Sequence, residues 1–175
     1  VFANLQALGC QTTCFSIVGA DSAAEEIKDI MVEYGGDGAG LIHDKGRPTI
    51  LKARYLSNNQ QLLRVDHETI APLSDEIQRD VLGRCENIMA EMSVLVLSDY
   101  GKGMLTPWLI QKLIKLAKKH KVPVIVDPKG NDFSLYKGAS IVTPNKKELS
   151  EATKGHAVKT DTDIEAAGKI LIKQS

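Results

Sequence analysis

The chain has 175 residues, enough for one sizeable core, and its 22 basic and 22 acidic residues balance. This balance argues against bulk attraction to nucleic acid or to an anionic membrane, so any phosphate binding must be local. No apolar run is long enough to span a bilayer, and the first ten residues, VFANLQALGC, lack the pattern of a signal peptide. The three cysteines form no C-x-x-C pair, which argues against a zinc site. Their odd number and apolar neighbours predict free core thiols in a reducing cytoplasm.

The first half of the chain predicts short helices and strands followed by a hairpin. Apolar spacing and β-rich composition predict, in order, a helix over 1–9, a strand over 12–19, a helix over 21–35 and strands over 47–56 and 60–66. Ser22 and Glu25 predict a capping box at the start of the second helix. Because Ser57-Asn58-Asn59 is a turn signal, the last two strands predict a hairpin that forms a small lid over about 47–67.

The second half alternates strands and helices, which is typical of an α/β fold. The predicted elements are a helix over 74–92, a strand over 93–99, a helix over 106–120, strands over 122–127 and 139–143, and helices over 145–153 and 161–174. Thr106 and Pro107 have the residue types of an N-cap and a first helical position. The strands are continuous apolar runs, such as Val94 to Leu97, which predicts a mostly parallel, Rossmann-like sheet with helices on both faces.

Polar residues follow each of the three strands in this second half. They are Asp99 and Lys102 after the first strand, Asp127 and Lys129 after the second, and Asn145 and Glu148 after the third. If the strands are parallel, their carboxyl ends lie at one edge of the sheet, where such folds bind ligands. Lysines beside glycines suit phosphate, carboxylates suit sugar hydroxyls, and an amide with a carboxylate three residues later suits hydrated Mg²⁺. The combination favours phosphoryl transfer to a polyol.

Each of these residues also has a plainer structural interpretation. Asp99 and Asp127 could cap a loop or helix, and the two lysines could be solvated loop residues. Taken singly, Asn145 and Glu148 are better explained as an N-cap and its capping-box partner. The functional interpretation therefore depends on the convergence of the three strand ends.

Three strings in the chain resemble one family of sugar kinases. They are LSNNQQLLRVD, VLSDYGKGML and VPVIVDPKGNDFSLYKGASIVTPNKKEL. They are similar to the bacterial heptose 7-phosphate kinases, which are free-standing or form the kinase half of a bifunctional ADP-heptose synthase. These enzymes belong to the ribokinase-like sugar kinases. The similarity extends over nearly the whole chain, so the resemblance identifies the chain as the central portion of one ribokinase-like kinase domain.

The resemblance implies a kinase that uses ATP and Mg²⁺ and carries a β-sheet lid. The implied reaction phosphorylates the anomeric hydroxyl of heptose 7-phosphate, giving the 1,7-bisphosphate for ADP-heptose and lipopolysaccharide core synthesis. By the family pattern, Asn145 and Glu148 organise Mg²⁺ and the ATP phosphates. The same pattern places the following residues on the substrate and phosphate side: Asp99, Lys102, Asp127 and Lys129. Gln60, Gln61 and Arg64 lie on the lid, which often also forms the contact of a homodimer.

Two motifs of that family have no counterpart in the chain. One is an acidic, Gly-Gly-containing sugar-binding segment, and the other is G-A-G-D, whose aspartate is the family's catalytic base. The string GGDGAG at 35–40 has the wrong order for this motif and predicts a loop. We therefore expect the base to lie beyond Ser175 and the chain alone to be inactive. A kinase for another sugar and a non-catalytic module with this fold remain the competing interpretations.

Overall fold

A computed structural model describes residues 1–173 of the chain, which divides into two compact units, Val1–Ala71 and Pro72–Ser175. No helix within residues 1–173 is both long enough and apolar enough to cross a membrane. All three cysteines are free, but Cys10 is exposed, so the prediction of core thiols is wrong for that residue. Burial raises the pKa of the Cys85 thiol to about 11.

The first unit begins with two helices and a small two-stranded parallel sheet. Its elements are α1 (Phe2–Ala7), β1 (Ser16–Val18), α2 (Ser22–Glu33) and β2 (Leu41–His43). Strands β1 and β2 pair in parallel, with Ser16 opposite Leu41. Val18, Ala24 and Met31 are buried between these elements. The sequence did not predict β2, because a strand of three residues is too short to show a pattern.

Helix α2 is capped differently from the prediction. The N-cap is Asp21, whose carboxylate accepts a hydrogen bond from the N–H of Ala24. Asp21 also accepts bonds from the backbone N–H of Thr49 at 2.8 Å and from its hydroxyl at 2.6 Å. The predicted capping box of Ser22 and Glu25 is therefore wrong, since a stronger acceptor one residue earlier takes the cap position.

The predicted hairpin is present as β3 (Leu51–Ser57) and β4 (Gln60–His67), which pair antiparallel. Asn58 and Asn59 both have positive φ, as the favoured two-residue hairpin turns require. The first strand begins at Leu51 rather than at residue 47, because Thr49 is engaged by Asp21.

The second unit contains a three-stranded parallel sheet and most of the helices. Its elements are α3 (Asp75–Ile88), β5 (Leu95–Ser98), α4 (Pro107–Lys119), β6 (Val124–Asp127), β7 (Ile141–Val142), α5 (Lys146–Ala152) and α6 (Asp161–Ile172), with 3₁₀ turns at Met89–Glu91 and Phe133–Tyr136. The strand order is β5-β6-β7, and both pairings are parallel. Helix α4 begins as predicted, with Thr106 as N-cap and proline next. The predicted end of α6 at Gln174 lies outside the described residues.

The side chains on the two faces of this sheet differ in exposure. Leu97 and Val126, which pair across β5 and β6, are 3% and 0% exposed. On the opposite face Val96 and Ile141 are 38% and 52% exposed. The parallel pairing and the α/β class, with helices flanking the sheet, are confirmed.

Candidate active site

The parallel sheet brings its three carboxyl ends to one edge of the second unit. The N–H of Asp99, just after β5, donates to the carbonyl of Asp127 at the end of β6 over 2.9 Å. The N–H of Thr143, just after β7, donates to the carbonyl of Val126, also over 2.9 Å. The segments that follow β5, β6 and β7 therefore start side by side, and we call this edge the rim.

Asp99 shapes the loop that follows β5. One carboxylate oxygen, Oδ1, accepts a bond from the N–H of Gly101 at 2.8 Å, which closes a tight turn. The other oxygen, Oδ2, accepts a bond from the hydroxyl of Tyr136 at 2.8 Å. Both oxygens thus hold protein groups, so Asp99 has the loop-capping role that was the plainer alternative.

Tyr136 is a rim residue that the sequence argument missed. Its side chain is fully buried and its ring packs edge-on against Phe133, with ring centroids 5.9 Å apart. The hydroxyl oxygen also accepts a bond from the N–H of Lys129 at 3.1 Å. Burial raises the pKa of Tyr136, and the Asp99 carboxylate raises it further, so the hydroxyl remains a donor. The sequence did contain a signal for this role, because Tyr136 follows D-P-K-G by a few residues and lies one turn after Phe133.

Lys129 lies between the loop after β5 and the start of α5. Gly101 has φ +63°, and a β-carbon added there would lie 3.4 Å from Cγ of Lys129, so the two segments are in close contact. The ammonium of Lys129 is 3.8 Å from Oε1 of Glu148. The structure therefore brings a lysine from one strand end to a carboxylate from the next.

Asn145 and Glu148 form a complete capping box at the start of α5. Oδ1 of Asn145 accepts the N–H of Glu148, and Oε2 of Glu148 accepts the N–H of Asn145, each over 3.0 Å. Asn145 is exposed, whereas Glu148 is only 9% exposed. This geometry is what the plainer interpretation requires, and it leaves Oε1 of Glu148 directed towards the rim lysine.

The rim offers Mg²⁺ few protein ligands. Among residues 1–173, no group of three or more His, Cys, Asp or Glu side chains could hold a metal ion. Mg²⁺ commonly keeps several waters and binds through one or two carboxylates and the substrate's phosphates. Oε1 of Glu148 fits that arrangement, and Asn145 would have to act through water because its oxygen is engaged in the cap.

The remaining predicted residues differ in how closely they join this network. Lys102 is half-buried in the loop after β5, and that loop is tied back where the N–H of Leu73 donates to the carbonyl of Gly103. Asp127 is exposed at the end of β6, with the hydroxyl of Ser98 3.5 Å from its Oδ2.

Gln61 and Arg64 lie on the hairpin of the first unit. Both are exposed, and the guanidinium of Arg64 pairs with the carboxylate of Asp66 at 2.8 Å. In the same cluster, the hydrogen bond from Lys52 lowers the pKa of Asp66. A substrate-binding role for Gln61 and Arg64 stays a prediction.

Comparison with known proteins identifies the family. The family model described as pfkB family carbohydrate kinase matches residues 1–175. The chain belongs to the pfkB family of carbohydrate kinases. The pfkB-family chain is 42% identical over 172 residues to the bifunctional protein HldE of Paramagnetospirillum magneticum, covering 98% of the chain and 35% of that relative. It is 40% identical to HldE of Wolinella succinogenes, covering 99% of the chain and 36% of that relative. The chain thus spans about a third of the length of these relatives.

Solved structures support the ribokinase-like fold. Arabidopsis thaliana ribokinase, complexed with ribose and ATP, matches with a TM-score of 0.70 at 21% identity, over 99% of the chain and 55% of the ribokinase. The tetrameric inhibited form of phosphofructokinase-2 from Escherichia coli matches with a TM-score of 0.67 at 18% identity, over 98% of the chain and 56% of the enzyme. At these identities the likeness concerns the fold, which agrees with the predicted α/β class.

Proposed function

We propose that the full-length protein carrying this chain transfers a phosphoryl group from ATP to the anomeric hydroxyl of heptose 7-phosphate. The product is the 1,7-bisphosphate, an intermediate for ADP-heptose and lipopolysaccharide core sugar. The observation that carries the proposal is the rim. There Lys129 forms an ion pair with Glu148, and Lys129 contacts the loop that contains Lys102. The similarity to bifunctional HldE proteins supports heptose 7-phosphate over other acceptors.

We assign the two lysines to different phosphates. Lys129 lies 3.8 Å from Glu148, so we place it beside the transferring phosphate, where negative charge develops during the reaction. Lys102 follows Gly101 on the neighbouring loop, and we place it beside the 7-phosphate of the sugar. A lysine serves either site because an ammonium binds phosphate without a demanding geometry.

We assign Glu148 to the Mg²⁺ that accompanies ATP, and Asn145 to the same site through water. The ion would neutralise charge on the phosphates when bound. The chain's own contribution is to hold the carboxylate still, because the capping box ties Glu148 to the first turn of α5. Asp99 and Asp127 are the candidates for the sugar hydroxyls. Of the two, Asp127 is the more exposed, whereas both oxygens of Asp99 already hold protein groups.

The test is the substrate dependence of ATP consumption by the full-length protein. We expect turnover with heptose 7-phosphate and Mg²⁺, and much less with ribose or fructose 6-phosphate at equal concentration. Preference for another sugar would support the competing kinase, and binding of ATP without turnover of any sugar would support the non-catalytic module. Because the chain contains no G-A-G-D string, we propose that residues 1–175 alone consume no ATP, since a missing general base costs on the order of 10²–10⁴ in rate.

We also propose that the hairpin forms a homodimer contact. Residues that alternate along the two strands share one face, which carries Leu51, Tyr55 and Leu63, all about half-exposed. A two-stranded hairpin is marginal by itself, and pairing of this apolar face with a second copy would bury it. Leu63→Lys should halve the mass measured by light scattering, whereas Arg54→Gln on the opposite face should leave it unchanged. A wild-type monomer at micromolar concentration would contradict the proposal.

We also propose that the protein is cytoplasmic. Its three cysteines form no disulfide, as is typical of a reducing compartment, and the proposed substrate ATP is abundant there.

A further inference from the structure

We propose that Tyr136 is a positioning residue that holds the loop after β5 and the loop after β6 in the arrangement required for phosphoryl transfer. It acts through Asp99 and the backbone of Lys129, with which its hydroxyl makes both of its short hydrogen bonds. The inference rests on the proposed function, because it assigns Tyr136 to the same site.

The Tyr136 hydroxyl bonds the segment that follows β5 and the segment that follows β6. It donates to Oδ2 of Asp99 over 2.8 Å, and it accepts from the N–H of Lys129 over 3.1 Å. Oδ1 of the same aspartate accepts from Gly101, the residue that abuts the side chain of Lys129. Through these hydrogen bonds Tyr136 contacts both segments that contain the proposed phosphate-binding lysines.

Burial of Tyr136 makes this hydroxyl hard to replace. The Tyr136 side chain is 0% exposed, so loss of the hydroxyl would leave an N–H and a carboxylate oxygen without their partner. The loops would have to shift to find new partners. A shift on the order of 1 Å in a group that positions substrate can lower the rate by about 10²-fold.

Tyr136→Phe isolates the hydroxyl, because phenylalanine keeps the ring that packs on Phe133. In the full-length protein we expect kcat/KM for heptose 7-phosphate to fall about 10- to 100-fold. Asp99→Asn and the double variant complete a cycle, in which Tyr136→Phe should have a much smaller effect once Asp99 has been changed. Unchanged kinetics in Tyr136→Phe, or full additivity in the cycle, would overturn the proposal.

Two control variants separate positioning from stability. Tyr34→Phe removes the hydroxyl of an exposed tyrosine and should leave the kinetics unchanged. Phe133→Leu weakens the same aromatic packing but leaves the Tyr136 hydroxyl in place. It should lower the melting temperature without the loss in kcat/KM. An equal kinetic loss in Phe133→Leu would mean that packing alone is responsible, which would also overturn the proposal.

Amide hydrogen exchange supplies a readout that needs no substrate. The N–H of Lys129 should exchange slowly in the wild-type protein, because it donates to a buried oxygen. Asp99→Asn weakens the anchor of that hydroxyl, so exchange at Lys129 should become faster. An unchanged exchange rate at Lys129 in Asp99→Asn would overturn the proposed coupling between Asp99, Tyr136 and Lys129. This result can be obtained even if Tyr136→Phe does not fold. If the wild-type protein phosphorylates no sugar, the proposed function fails while this measurement still decides the coupling.

Discussion

Glu148→Gln should lower turnover strongly and stability only slightly. The glutamine keeps an acceptor oxygen for the N–H of Asn145, so the capping box can persist. What is lost is one negative charge near the N-terminus of α5, worth about 0.3–1 kcal/mol, and one ion pair with the largely exposed Lys129, worth about 0–1 kcal/mol. The free energy of unfolding should therefore fall by at most about 2 kcal/mol, or several degrees in melting temperature.

The kinetic effect should be larger, because the carboxylate is proposed to organise Mg²⁺ through its Oε1 atom. Even groups that support a metal ion indirectly typically contribute about 10- to 100-fold to affinity or activity, so a carboxylate that holds the ion itself should contribute at least that factor. We expect kcat to fall by that factor and the Mg²⁺ concentration for half-maximal rate to rise, in steady-state assays of the full-length protein.

Glu151→Gln is a matched control for this experiment. Glu151 lies on the same helix and pairs with Lys147 at the same distance of 3.8 Å, but it is exposed, and its partner is not one of the rim lysines. It should keep the wild-type rate and Mg²⁺ dependence. Wild-type Mg²⁺ dependence in Glu148→Gln, or an equal loss in Glu151→Gln, would refute the assignment.

Three further predictions use other parts of the chain. Lys102→Met should raise KM for heptose 7-phosphate with little change in KM for ATP, whereas Lys129→Met should mainly lower kcat; wild-type kinetics in both variants would favour solvated loop lysines. Gly19→Ala should destabilise the fold by about 1–3 kcal/mol in urea unfolding, because the added carbon would lie 2.7 Å from backbone atoms. The control Gly83→Ala in α3 should stabilise the fold by about 0.5–1 kcal/mol, because its added carbon meets no atom within 4 Å. The Thr49 hydroxyl lowers the pKa of Asp21, so that carboxylate stabilises the fold above a pH of about 4 and loses its contribution as the pH falls; Asp21→Asn should flatten melting temperature against pH in this acid range, and an unchanged curve would contradict this.

Local sequence determined the elements whose signals lie within a few residues. The hairpin follows from Asn58-Asn59, because asparagine tolerates the left-handed backbone that the turn requires. The start of α4 follows from Thr106 and Pro107, whose side chains satisfy or remove N–H groups at the helix end. The grouping of the rim residues at one edge was also predictable, since parallel strands in a sheet place their carboxyl ends together.

Contacts between distant parts of the chain could be decided only by the tertiary structure. Strand β2 is three residues long and is defined by its pairing with β1, so no local pattern marks it. The bond between Tyr136 and Asp99 joins residues 37 positions apart, and the cap of α2 depends partly on Thr49, which lies 28 positions away. Burial likewise depends on what packs against an element, which is why an unbroken apolar strand such as β5 has one exposed face here. A hydrogen bond or a buried surface of this kind has two partners, and a single stretch of sequence contains only one of them.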